Sequence, residues 1–479
     1  MPSMTWRRRA LGDVLAAAAV ALAVALALGP AFLNYDSFYA LVWGADVLDG
    51  RRPAYAVPFA PTPHPLAIAV GALLSPLGDA AEQVLIAISL LGLGAIAVGL
   101  YRLGSELFAP AVGLLAAAIV VTRVPFLSFG VRGYVDLPAV ALVVWAAVLE
   151  ARRPRRGAAV LVLLALAGLL RPEFWLFSAV YWLWLMRSGL ATSARVRLAL
   201  VAALAPALWL LSDFLVTGDP LWSLAGTSAN AARLERPTGL ADLARITPYR
   251  LGEILRLPEL IAAVLGLGAA FLLLRRQVLL PAAVAALNGV AFAAFALAGL
   301  PLLGRYLFTA ATMLALFAAV AVFGWRGLPP EHPRCRAWMV GGLVLLAIVL
   351  AFTPIQAARI TALGADIAAR DRAQADLRTA TRLPGTVRAL ARCGPLSLPT
   401  HRPIPQVSYW SGLPAETITS AGVEPPGPRG VFIAATSPEV ARLALLDPRD
   451  PTRARLEPPP GWRTVAANAS WRVVASCPP

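Results

Sequence analysis

The sequence contains no lysine, so its 42 basic residues are all arginines, set against 26 acidic residues for a formal net charge of +16. Charge of either sign is scarce. Only 14% of the 479 residues are charged, 59% are hydrophobic, and the mean hydropathy is +0.70. A soluble chain of this length needs far more polar surface, so the composition excludes a soluble globular protein and implies a polytopic membrane protein. Cysteine and histidine are also scarce, three of each and scattered. No zinc, haem or Cys-x-x-Cys spacing is present. The arginines cluster in short stretches between apolar runs, which marks membrane topology rather than a nucleic-acid surface. The first apolar run lacks a small-residue cleavage site and many more runs follow, so it reads as a retained span. Missing lysine beside abundant Ala, Pro and Gly suggests a GC-rich bacterial gene, and hence a bacterial plasma (inner) membrane.

What is present is a long series of apolar segments. They predict about eleven transmembrane helices, near residues 11–30, 80–103, 108–129, 137–151, 157–170, 173–187, 197–217, 258–274, 279–300, 303–324 and 337–354. Arginine near a span resists translocation. Placing Arg7–Arg9, Arg102, the "RRPRR" at 152–156, Arg187, Arg275, Arg276 and Arg326 in the cytoplasm gives one consistent alternation, with the N-terminus inside and the C-terminal end outside. Residues 1–354 then form a transmembrane domain with an outer loop at 31–79 and a second outer segment at 218–257. Residues 355–479 form a separate, small extracytoplasmic α/β domain. In that domain an amphipathic helix over 355–392 precedes strand-like runs "QVSYW", "GVFIAA" and "WRVVAS". Cys393 and Cys477 bracket it, and an exterior compartment favours their disulfide. Cys335, in a cytoplasmic loop, is expected to stay reduced.

The outer loop carries "FLNYDSFYALVWGADVLDGRRPAYAVPFAPTPHPLA". Asp36 lies about six residues beyond the first span, where a half-desolvated carboxylate gains basicity. Either Asn34 or Asp36 caps the helix that follows, or Asp36 is a base at the membrane surface. Residues 66–78 are apolar but too short to cross a core of roughly 30 Å, and read as an interfacial or re-entrant helix. The short helices at 157–170 and 173–187 place "RPE" below the outer surface. Arg171 and Glu173 there either pair with each other or line a polar cavity. Asp136 is either the N-cap of its span or a functional acid.

Four motifs in order carry a resemblance: "YDSFYALVWGADVLDGRRPAY" with "PTPHPL", "GYVDLPAVAL" (133–142), "GLLRPEFWLF" (168–177) and "LLGRYLFTAATMLAL" (302–316). Together they resemble the GT-C superfamily of membrane glycosyltransferases, which includes protein O-mannosyltransferases, aminoarabinose transferases and actinobacterial arabinosyl- and mannosyltransferases. The resemblance covers about residues 1–325. It implies a GT-C-like fold and transfer of a sugar of the mannose or arabinose class from a polyprenyl-phosphate donor. The acceptor would be an envelope glycan, lipid or protein at the outer face. Asp36 would be the general base and Asp136 a second acid near the acceptor. Arg305, in the late "RY" motif, would bind the donor phosphate, with His64, Arg132 and Arg171 as further candidates. Many relatives follow the first Asp with a second acid, but here the next residue is Ser37, so no obligatory metal or other cofactor is expected. A lipid or sugar transporter and a non-catalytic envelope-binding relative are the alternatives. The spans carry little charge and no repeated half is evident, which weighs against a transporter.

Overall fold

The computed structural model describes residues 2–187, 189–447 and 454–477. Packing divides the chain into two compact units. One comprises Met1–Leu28, Ala87–Ser212 and Pro237–Leu363; the other comprises Gly29–Ile86, Asp213–Arg236 and Gly364–Pro479. The chain passes between the units at residues 28/29, 86/87, 212/213, 236/237 and 363/364. The first outer loop and residues 213–236 group with the C-terminal residues.

The first unit is helical. Among the described residues, six helices are long and apolar enough to cross a membrane, or up to eight if two bent pairs each count as one span. The other three expected spans are the helices Asp136–Arg152, Ala158–Leu170 and Phe174–Met186, of 17, 13 and 13 residues. At 1.5 Å per residue they reach only about 20–26 Å. The segment Gly304–Gly327 is the centre of the unit, with 89% of its apolar window buried. Small residues let neighbouring helices approach it backbone to backbone. A Cβ on Gly266 would collide with the Phe317 carbonyl oxygen, and one on Gly342 with that of Val322.

Two bends follow, one inside the expected 108–129 span and one just before the expected 258–274 span. Pro110–Val121 and Val124–Val131 meet at 64°, and Leu240–Leu255 and Leu257–Leu273 at 108°. At the second break Arg256 adopts φ +74°, an unfavourable conformation for a residue with a Cβ. The two breaks are joined. Arg123 Nη1, at the first, donates to Glu259 Oε1 at 2.7 Å and to the Leu255 carbonyl at 3.1 Å. A carbonyl released at one break is thereby satisfied by a side chain from the other.

The second unit contains a five-stranded sheet. Its strands are β1 (Leu396–Leu398), β2 (Ile418–Ser420), β3 (Gly430–Ala435), β4 (Arg463–Ala467) and β5 (Trp471–Ser476), in the order β2-β1-β3-β5-β4. β1 is parallel to β2 and β3, and the β3–β5 and β4–β5 pairs are antiparallel. The alternating runs "GVFIAA" and "WRVVAS" are the two longest strands. The run "QVSYW" is not a strand. It lies in the helix Ile404–Ser411, where Pro405 stands in the first turn and Gly412 ends the helix in the left-handed conformation. Its Trp410 Nε1 donates to the buried Glu82 Oε1 at 2.8 Å, and its ring packs edge-on against Phe38. Local alternation gave way to this tertiary burial. Cys393 and Cys477 form a disulfide, and Cys335 is free.

Candidate active site

The residues singled out in the sequence fall into both units. In the second, Asp36 lies in the first turn of helix Tyr35–Leu48 and is half-buried. The cap of that helix is Asn34. Its Oδ1 accepts from the Ser37 backbone N–H at 3.1 Å, and its Nδ2 donates to Ser37 Oγ at 2.8 Å. Ser37, standing where many relatives carry an acid, completes this reciprocal cap. A carboxylate in the first turn also suits the positive end of the helix.

Next to Asp36 in the chain, Tyr35 belongs to an aromatic cluster. Tyr35 meets Tyr39 edge-on at 5.1 Å, Tyr39 lies against Trp43 at 4.8 Å, and Trp43 against Tyr55 at 4.8 Å. His401 completes it, 5.8 Å from Tyr35 and 4.5 Å from Phe59 between ring centres. Burial, then Tyr39 and Asp36, push the Tyr35 hydroxyl well above the usual tyrosine range, so it stays protonated. It donates to the Phe59 carbonyl at 3.0 Å. The recurrence of Tyr and Trp at 35, 39 and 43 was visible as an i, i+4 stripe. Its closure by His401 was not, because that residue is more than 350 positions away. His64, 8% exposed, is the N-cap residue of helix Pro65–Leu74, and its side chain accepts no capping hydrogen bond. That helix crosses Tyr35–Leu48 at closest backbone approach, with Gly44 against Gly71.

In the first unit the structure brings Asp136 and Arg171 together. Gly133, at φ +66°, turns the chain out of Val124–Val131 so that Asp136 opens the next helix. The N-cap residue is Val135, not Asp136; the Asp136 Oδ1 lies 3.4 Å from Arg171 Nη1. Arg171 Nε donates to Glu173 Oε1 at 3.1 Å, and its guanidinium sits over the Tyr306 ring at 4.5 Å. The three charged side chains are at most 6% exposed. The expected Arg171–Glu173 pair is therefore present, with Asp136 as a second carboxylate on the same guanidinium. Arg305 is half-buried beside Tyr306, 5.7 Å from its ring centre, and Arg132 lies 5.2 Å from the centre of the Tyr134 ring. Among the described residues no group of three or more His, Cys, Asp or Glu gathers as a metal site would.

No model of a known protein family matches the sequence, and no curated protein does either. The fold, however, is shared with solved structures. The crystal structure of ArnT from Cupriavidus metallidurans bound to undecaprenyl phosphate superposes with a TM-score of 0.55. At 15% identity the match covers 97% of this chain and 98% of that one. ArnT from the same organism in the apo state matches at 0.49, with 15% identity over 98% of each chain. The architecture is thus the GT-C fold, a polytopic helical membrane protein with a small C-terminal sheet domain.

Proposed function

We propose that this protein is an integral membrane glycosyltransferase that moves a sugar from a polyprenyl-phosphate donor to an acceptor at the outer face of the membrane. The observation that carries the reading is the fold. Nearly the whole of both chains corresponds to a protein whose structure holds undecaprenyl phosphate. The arginine distribution supports a cytoplasmic N-terminus and an extracytoplasmic C-terminal domain.

The chemistry assigned to the residues is a single displacement. An acceptor hydroxyl attacks the anomeric carbon, its oxygen–carbon bond forms as the bond to phosphate oxygen breaks, and polyprenyl phosphate departs with that electron pair. The hydroxyl proton passes to Asp36, and the configuration at the sugar carbon inverts. Phosphate leaves without a general acid, so one carboxylate suffices, unlike the two of glycoside hydrolysis. Asn34 supplies the helix cap, which supports assigning Asp36 a role other than capping. Arg305 is assigned to the donor phosphate because a guanidinium offers a fixed fork of donors. His64 and Arg132 are secondary candidates. Arg171 and Asp136, clasped to each other, are assigned to holding the late "RY" segment through Tyr306. The reading requires no obligatory cofactor or metal. The sugar is assigned to the mannose or arabinose class on the sequence resemblance alone.

The test uses protein in lipid nanodiscs, a panel of polyprenyl-phosphate sugars, and an acceptor mixture of envelope glycans and lipids. Release of polyprenyl phosphate is expected from wild type and is expected to fall at least about a hundredfold in Asp36→Asn. Equal rates in the two proteins would remove Asp36 from the chemistry. Donor lipid translocated without release would favour a transporter.

A further inference from the structure

The second unit contains a cavity of about 190 Å³ between the 55–63 loop and the helix Trp222–Arg233. At about 30 Å³ of liquid per water molecule it holds roughly six waters. It is smaller than the roughly 300–1,000 Å³ of a site for a drug-sized molecule. One six-membered ring with its substituents fits within it.

The lining is that of a site for a polar ring. Tyr55, Phe59 and Trp222 are the aromatic residues of the lining, and Asn230 and Arg233 supply polar groups; the Thr227 hydroxyl is engaged by the Ser223 carbonyl and Thr62. The two walls are tied together. Thr62 and Thr227 share a hydroxyl hydrogen bond of 2.6 Å, and Asn230 Nδ2 donates to the Ala60 carbonyl at 3.0 Å. That bond leaves the Asn230 amide a second N–H and a carbonyl oxygen. Ser223 is anchored on Asp213 by backbone and hydroxyl bonds of 2.8 Å each. Arg233 is exposed at the end of the helix and makes no ion pair with another described residue. On the opposite wall Phe59 is held at φ +61°, a conformation that costs a residue with a Cβ about 1–2 kcal/mol. The Tyr35 hydroxyl and the His401 ring keep it there. Strain maintained by its neighbours on the wall of a cavity is a mark of a binding site.

We infer that this cavity binds a single sugar ring carrying an anionic substituent, as the recognised unit of the acceptor. The inference rests on the glycosyltransferase reading for the word acceptor, but not for the binding itself. The aromatic residues flank the ring, the Asn230 amide takes its hydroxyls, and the Arg233 guanidinium takes the anion.

Ligand-detected NMR on the full chain in nanodiscs tests this with methyl β-glucuronide, glucose 6-phosphate, methyl β-glucoside and inorganic phosphate. Both anionic sugars are expected to bind at least about tenfold more tightly than the glucoside or inorganic phosphate. Arg233→Gln is expected to bring them to the glucoside's level and leave the glucoside unchanged. Gly226→Leu is expected to abolish all sugar binding. A Cβ at Gly226 meets nothing nearer than Trp222 Nε1 at 3.9 Å, so the added side chain enters open space. Polyprenyl-phosphate binding should be unaffected in both variants. No sugar binding by wild type, binding that survives Gly226→Leu, or equal affinity for inorganic phosphate each overturns the inference. Cavity binding without any donor turnover would instead retain this site and remove the transferase reading. Asp36-dependent turnover without cavity binding would do the reverse.

Discussion

Arg171 Nη1 lies 3.4 Å from Asp136 Oδ1, both side chains at most 4% exposed. A buried guanidinium between two carboxylates is expensive to break, because removing one member leaves the others charged and unsolvated. Arg171→Met is expected to cost about 3–5 kcal/mol, and Asp136→Asn less, since Glu173 still balances the arginine. Thermal unfolding in detergent measures both. A wild-type melting temperature for Arg171→Met would show that the cluster is solvated.

Helix packing offers a comparison within one helix. Gly266 stands where a Cβ would strike the Phe317 carbonyl oxygen, whereas a Cβ at Gly268 meets nothing within 4 Å. Gly266→Ala is expected to lower the unfolding temperature or prevent folding. Gly268→Ala is expected to be neutral or slightly stabilising, by up to about 1 kcal/mol of helix propensity. Equal behaviour of the two variants would contradict the close approach of Leu257–Leu273 to Phe308–Phe323.

The cap at Asn34 separates structure from chemistry. Asn34→Ala is expected to cost about 1 kcal/mol, while Asn34→Asp restores most of the loss. Asp36→Asn, in the same turn, should leave the unfolding temperature nearly unchanged while turnover collapses. If Asp36→Asn melts as early as Asn34→Ala, the carboxylate is structural.

Asp79 gives a pH dependence of defined sign. Arg382 holds it through bonds of 2.7 and 2.8 Å, which keep its carboxyl below the usual 3.8. The folded state therefore binds this proton less readily than the unfolded state. The contribution is complete above pH 3.8 and disappears as pH falls through the lowered folded value. Both partners are about half exposed, so the pair is worth at most about 1 kcal/mol. The gap in stability between wild type and Asp79→Asn should be present at pH 7 and narrow as pH falls below 3.8. A gap that does not narrow at all below pH 3.8 would mean that Asp79 acts through packing.

Much of the helical architecture was readable because long apolar runs and flanking arginines are local signals. Residues 158–170 and 174–186 were legible as short helices, and Asp36, Asp136 and the "RY" at 305–306 as polar points at helix ends. The break at Arg123 was not. Arg123 sat within an otherwise apolar run, and beyond the neighbouring Thr122 its partners are Glu259 and the Leu255 carbonyl, about 130 residues later. "QVSYW" misled for a related reason. Its alternation is compatible with a strand, and the burial of Trp410 on Glu82 decided for a helix.

Composition and periodicity by themselves implied a polytopic membrane protein and located most of its apolar helices. Hydrophobicity and arginine placement act residue by residue and need no partner. The tertiary structure alone decided that Asn34 and Ser37 form the cap, that Asp136 faces Arg171, and that residues 55–63 and 222–233 enclose a cavity. Each of these is a match between donors, acceptors or shapes. In the last two the partners lie tens to hundreds of residues apart, and no local pattern specifies such a match.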